Sequence, residues 1–199
     1  MDYKNTSKRL QQLIYALFEF AEIERKIFYP DGKKKNRLEN DVEHSYSLAM
    51  CAWYLSQYLP RLNQLLVLKM ALAHDIVEVH AGDVMAIGRT EDEEKQKIER
   101  EKQALLQLKA DWPDFQQLTD AIELYENKET PEAQFVSALD KILPIYLSLL
   151  SEGKTWKHYQ LPRAEVVKNK DQKTKINSEI HSIWQQIKQE ILEHDEYFN

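Results

Sequence analysis

The sequence predicts an all-α fold, a single-domain bundle of about six to eight helices. Three observations carry this expectation. Gly and Pro are scarce, 4 and 6 in 199 residues, while 43% of residues are apolar, a balance that favours helices over a turn-rich β fold. Apolar residues recur at helical intervals, and no alternating strand pattern stands out. Start and stop signals punctuate those stretches where helices should begin and end. The length suffices for a real core, and neither repeats nor a low-complexity linker divides residues 1–199, so one domain is expected.

Taken in order, the first helix is expected from about residue 6 to 26, with Leu10, Leu13, Ile14, Leu17, Phe18 and Ala21 on one stripe. "YPDGKKKN" breaks it with Pro30 and the Asp31-Gly32 turn pair. A second helix begins near Asn40, where Glu43 three residues on makes a capping-box spacing, and carries Val42, Tyr46, Ala49 and Trp53 until Pro60. The third covers roughly 62 to 80 and stops at Gly82, and a charged fourth spans about 92 to 109. A fifth follows "DWPDF", with Asp111 and Pro113 as start signals. The sixth opens at "TPE", Thr130 as N-cap and Pro131 at N1, and reaches about Ser151. A last helix, about 171 to 194, repeats Ile176, Ile180, Ile183, Ile187 and Ile191. Residues 151–199 are expected as a C-terminal helical extension packed on the same core.

Composition also excludes partners. A net charge of -6 argues against binding polymeric nucleic acid, whose footprint would be basic, yet leaves room for a local basic pocket. The single cysteine, Cys51, rules out an internal disulfide and suits a reducing compartment. "MDYKNTSKRL" is polar where a secretory leader would be apolar, and no uninterrupted apolar run approaches the roughly 20 residues that span a bilayer. A cytoplasmic protein without a membrane partner is expected.

Polar groups then intrude on apolar faces. His44 shares a stripe with Leu48, Cys51 and Leu55, and His74 and Glu78 share one with Val67 and Ala71. Asp75 lies over Leu68, Leu72 and Ala71, and Asp140 shares a stripe with Val136, Leu143 and Leu147. Ionisable groups seldom enter a core without partners, so three apolar faces that each carry them are expected to meet. Two imidazoles and two carboxylates make a mixed nitrogen–oxygen site for a divalent cation, which acidifies water and polarises a phosphoryl oxygen. The plainer alternative is a set of unrelated core groups: hydrogen-bonded histidines, a chance His-Asp neighbour pair, a capping or salt-bridged Asp140.

The order His44, then His74-Asp75, then Asp140 resembles that of the HD-domain metal-dependent phosphohydrolases. "RLENDVEHS" (37–45), "HDIVEVHAGD" (74–83) and "ETPEAQFVSALDKILPI" (129–145) are similar to segments of the subgroup that contains bacterial 5′-deoxynucleotidases. The resemblance covers roughly residues 8 to 150. It implies that His44, His74, Asp75 and Asp140 hold one divalent ion (Mn, Co, Mg, Fe or Zn). It implies that Glu78 and Asp75 act in the catalytic step, Glu78 through proton transfer at the attacking water and departing alkoxide. Asp83 matches a substrate contact, with Val84, Met85 and Ala86 lining the sugar pocket. "IERK" (23–26) matches the segment holding an essential Arg, which makes Arg25 the phosphate contact, with Lys26 beside it. That position is aromatic in the nucleotidases, and the loop before His44 is longer here, so base and sugar preference stay open.

Arg37 and Glu39 also match the pattern before the first ligand, where a structural pairing that fixes the loop is expected and substrate contact is the alternative. His80 is read as a helix-end or pocket-rim residue, and one extra histidine is too few for a two-metal pattern. His158, His181 and His194 are expected in solvent. Pro144 cannot donate to the Asp140 carbonyl, so a kink there either aims the Asp140 carboxylate or is incidental. The function expected is a metal-dependent phosphomonoesterase acting on small nucleotides, foremost 5′-deoxyribonucleoside monophosphates, in a homodimer. The alternatives are the same site working on a triphosphate, alarmone or cyclic nucleotide, and a metal-binding regulatory module without turnover.

Overall fold

The computed structural model describes residues 2–30, 37–83 and 90–198. Among them are ten α-helical segments, a short 3-10 turn and one two-stranded antiparallel sheet. In chain order these are α1 (Tyr3–Ala21), β1 (Glu24–Phe28), β2 (Leu38–Asn40), α2 (Asp41–Ser56), α3 (Gln64–Ala73), α4 (Glu78–Ala81), α5 (Glu91–Asp111), α6 (Gln116–Asn127), α7 (Pro131–Leu150), α8 (Lys154–His158), α9 (Arg163–Thr174) and α10 (Ser178–Glu193). The helical class stands. The small sheet is a correction: α1 ends at Ala21 and the chain from Glu24 is extended, where a helix to residue 26 was expected. The reason is tertiary. β1 pairs with β2 (Glu24 with Asn40, Phe28 with Leu38), and Asp41 N–H donates to the Ile23 carbonyl at 3.1 Å, partners that a helix extension would forgo.

The centre is α7, whose Phe135, Val136, Ala138 and Ile142 are almost wholly buried. It packs against α2, α3, α6, α9 and α10, and each large side chain so buried contributes roughly 1.5–3 kcal/mol. Thr130 caps it by accepting from Ala133 N–H, and Pro131 fills its first turn. By length and composition α7 is apolar enough to cross a bilayer, but most of it is buried inside the protein. It runs through Pro144 as one helix.

Local signals place other boundaries. The Asn40–Glu43 capping box forms in full at α2, and Thr90 with Glu93 forms another at α5. Asp111, expected to start a helix, instead closes α5, and α6 starts at Gln116 without a side-chain cap. The helix expected over 62–80 ends at Ala73. Residues 74–77 form a turn with Ile76 N–H bonding to Ala73 and Glu78 N–H to Asp75, a tightening from i→i−4 to i→i−3. The last expected helix is two, because Asn177 caps α10 by accepting from Ile180 N–H and leaves Ile176 outside the stripe. Gly153 has φ +73°, and a Cβ there would stand 2.2 Å from the Tyr197 carbonyl oxygen, so the entry to α8 requires glycine.

Much of two apolar sets read from the sequence is not covered. On α1, Leu10, Ile14 and Phe18 are exposed, and on α2 Val42, Tyr46 and Trp53 are exposed beside Met50 while Ala49 is buried, although the two helices pack on each other.

Candidate metal centre and its pocket

Three pieces of backbone converge on the polar groups. The capped first turn of α2 buries His44 and Asp41. The turn after α3 turns His74 inward and sets Asp75 at the pocket edge, and mid-α7 supplies Asp140. Ligand atoms of His44, His74 and Asp75 all lie within 4.8 Å of one another. Asp140 Oδ1 joins them at 3.0 Å from His44 Nε2 and 3.9 Å from His74 Nε2, while Asp75 Oδ2 lies 3.0 Å from His74 Nε2 and 3.8 Å from His44 Nε2.

The hydrogen bonds decide what this cluster can hold. His74 Nδ1 is 3.1 Å from the Ala71 carbonyl, so the proton sits on Nδ1 and the Nε2 lone pair points inward. That Nε2 is buried without a hydrogen-bond partner, facing carboxylate oxygens. A buried imidazole lone pair that faces carboxylate oxygens is relieved by a cation placed between them, and two imidazole nitrogens with two carboxylates would suit a divalent transition metal or Mg²⁺-like ion. The residues present therefore fit the ion. Supporting groups surround them. Tyr125 Oη donates to Asp140 Oδ2 at 2.9 Å and Lys141 Nζ donates to the same oxygen at 2.5 Å. Glu39, fully buried, places Oε2 3.6 Å from His44 Nδ1 and 3.4 Å from Arg25 Nε.

Electrostatics follow this crowding. Burial alone would raise Asp75, but the adjoining His74 and Arg25 outweigh it and hold its carboxyl below the usual range. Burial would likewise raise Asp140, and Lys141 with His44 overcomes it. His44 is pushed down by burial and by Arg25, yet bonds to Asp140 and Glu39 lift it to about 9. Glu78 goes the other way: burial, then Asp75, Asp83 and Asp41, push its carboxyl up to about 10, and its Oε2 has no hydrogen-bond partner. A carboxyl held protonated at neutral pH can give a proton to a departing oxygen.

Arg25, Lys26, Asp75, Glu78, Asp83 and Asp140 all line one pocket. Arg25 reaches it from β1, donating through Nη1 to Asp75 Oδ2 at 2.6 Å and Asp41 Oδ1 at 3.0 Å, and neighbouring Lys26 is exposed at the rim. Val84, Met85 and Ala86 lie outside the described residues. Arg37 does pair structurally, but with Glu43 in a bidentate bond at 2.7 and 2.8 Å, not with Glu39. His80 stands apart from this pocket, 3.1 Å from Asp111. His158 is exposed as expected. His181, bonded to Thr174, and His194, stacked on Tyr197, are half-buried instead.

Four residues of the site escaped the sequence reading: Asp41, Tyr125, Lys141 and Lys170. Asp41 is fully buried beside Arg25, and burial together with Asp75 lifts it to about 7 against the pull of Arg25. The available signals were the i, i+4, i+8 stripe of Val166, Lys170 and Thr174, all buried on α9, and the adjacency of Lys141 to Asp140. Tyr125 and Asp41 had none.

Comparison with known proteins agrees with this geometry. The profile of the HD domain matches residues 24–184. The human 5′-deoxynucleotidase HDDC2 is 32% identical over 107 residues, 53% of this chain and 50% of that protein. The 5′-deoxynucleotidase hdd1 of Schizosaccharomyces pombe is 29% identical over 108 residues, 52% and 53% of the two chains. The chain thus spans about half the length of the curated relatives it matches. Among solved structures, a predicted metal-dependent phosphohydrolase from Magnetospirillum magnetotacticum MS-1 superimposes with a TM-score of 0.81 at 28% identity, covering 96% of this chain and 94% of that one. The PH0347 protein of Pyrococcus horikoshii OT3 shares the fold, with a TM-score of 0.62 at 18% identity over 88% and 96% of the chains. With its H…HD…D residues gathered in one cluster and the family profile matched over most of its length, this chain belongs to the HD-domain family.

Proposed function

We propose that this protein is a divalent-metal-dependent phosphomonoesterase that releases inorganic phosphate from 5′-deoxyribonucleoside monophosphates. The observation that carries the reading is the inward Nε2 of His74, buried and unbonded among carboxylate oxygens, at the edge of a pocket lined by Arg25 and Glu78. His44, His74, Asp75 and Asp140 would hold one ion. When bound, the ion supplies Lewis acidity and lowers the pKa of water. The remaining work falls to the chain. Arg25, with Lys26 at the rim, offsets the charge of the phosphate dianion. Asp75 and Asp140 orient the centre, Glu78 passes a proton to the nucleoside oxygen as its bond to phosphorus breaks and water's oxygen bonds to phosphorus, and the proton that the water sheds returns to Glu78. Asp83, at the same pocket, is assigned to the sugar. The names of the curated relatives favour a deoxynucleoside monophosphate over a triphosphate, alarmone or cyclic nucleotide.

The reading extends to a cytoplasmic homodimer without membrane or polymeric nucleic-acid partners. The dimer is supported by the exposed apolar surface of α1 and α2, of a kind that marks association sites, and the absence of a nucleic-acid partner by the net charge of -6. Purified protein supplied with Mn²⁺, Co²⁺ or Mg²⁺ is assayed for phosphate release against a panel of nucleotides. Release confined to deoxynucleoside monophosphates is the expected result. No release from any member, with the ion bound, would favour a metal-binding regulatory module.

A further inference from the structure

One buried charge in the pocket has no use in the scheme above. Lys170, on α9, is 4% exposed between Val166 and Thr174. Its ammonium lines the same pocket as Arg25, Asp140 and Lys141. Among the described residues it makes no hydrogen bond and no ion pair, whereas Lys141 is held by Asp140, and Arg25 by Asp41 and Asp75. Lys141, Lys173 and Arg25 repel it, and Asp140 attracts it. Pro144, Ile145, Trp156 and Leu161 also line this pocket, as do Ser148 and Thr155. A largely buried lysine that lines a cavity without a protein partner for its ammonium matches an anion that arrives from solution.

We infer that Lys170 binds a phosphate oxygen of the substrate, reaching it from α9 in the pocket it shares with Arg25. The pocket thereby surrounds one phosphoryl group with cations from β1, α7 and α9. Burial, reinforced by Lys141, lowers the Lys170 ammonium to about 7, and an arriving anion would restore its proton. This inference rests on the phosphohydrolase reading, and the two fail separately.

The test is equilibrium titration of inorganic phosphate into the full chain, with and without added Mn²⁺, for wild type, Lys170→Met and Lys170→Gln. Loss of a charge-assisted bond predicts phosphate binding weakened by at least about tenfold in both variants, with ion content unchanged. Thermal melting supplies the second readout. Lys170→Met should melt no lower than wild type, because it removes an unpaired buried charge, and Lys170→Gln covers the case in which Met does not fold. Unchanged phosphate affinity in either folded variant overturns the inference, as does a wild type that releases phosphate from nucleotides yet binds none. A wild type that hydrolyses nothing but binds phosphate through Lys170 would overturn the functional reading alone.

Discussion

Glu78→Gln separates a carboxyl held protonated by its surroundings from an ordinary buried acid. The Glu78 carboxyl is raised from 4.5 to about 10, by burial first and then by Asp75, Asp83 and Asp41. Between those values the folded chain keeps a proton that the unfolded chain has released, so stability is complete below about pH 4.5 and falls as pH rises towards 10. At pH 7 the chain stands about two and a half units above the unfolded value, and at about 1.36 kcal/mol per unit the loss is about 3 kcal/mol. Glutamine cannot ionise and escapes that loss. Urea unfolding of chelator-treated protein at pH 5, 7 and 9 should therefore show the variant within about 1 kcal/mol of wild type at pH 5, about 3 kcal/mol more stable at pH 7, and further ahead at pH 9. The same change should cut turnover by about 10²–10⁴ without loss of bound metal. Parallel stability profiles across that range, or full turnover in the variant, would refute the reasoning.

Other outcomes follow from named contacts. His74→Ala removes the inward Nε2 and should leave the protein without stoichiometric metal by elemental analysis; one retained ion per chain would place the centre elsewhere. Tyr125→Phe deletes the bond to Asp140 Oδ2 and should weaken metal binding by about 10–100-fold in competition with a chelator of known affinity. Trp53→Glu puts a charge on the exposed apolar surface of α2 and should halve the mass found by sedimentation if that surface joins two copies. Gly153→Ala forces a side chain into positive φ and against Tyr197, and should lower stability by about 1–2 kcal/mol or more, read as a drop in melting temperature.

Much of the site was legible because its residues violate the pattern around them. His44 beside Leu48, and Asp140 beside Val136 and Leu143, are polar groups on apolar stripes, and that mismatch is visible in any helix drawn at 3.6 residues per turn. Lys170 violates its stripe in the same way, but α9 is otherwise so charged that the mismatch does not stand out. Arg25 was legible only as a residue of a resembling segment, placed in the wrong secondary structure. The alternation of Arg25 and Ile27 is too short to announce a strand, and its partner β2 lies beyond the turn. Asp41 and Tyr125 look in sequence like a first-turn acid and an ordinary helical tyrosine. Their burial against Arg25 and Asp140 depends on neighbours many residues away.

By itself, the sequence determined the helical class, the caps of α2 and α7, and the polar residues that had to meet, since each depends on groups within a turn or two of chain. Only the tertiary structure decided that the chain after α3 tightens at His74 and Asp75, that β1 rather than a helix carries Arg25, and that α9 delivers Lys170 to the pocket. Those outcomes balance local hydrogen bonding against partners more than a hundred residues distant, such as the 127 residues between Phe28 of β1 and Thr155. No short-range pattern encodes that balance, because the competing contacts exist only once the core has closed.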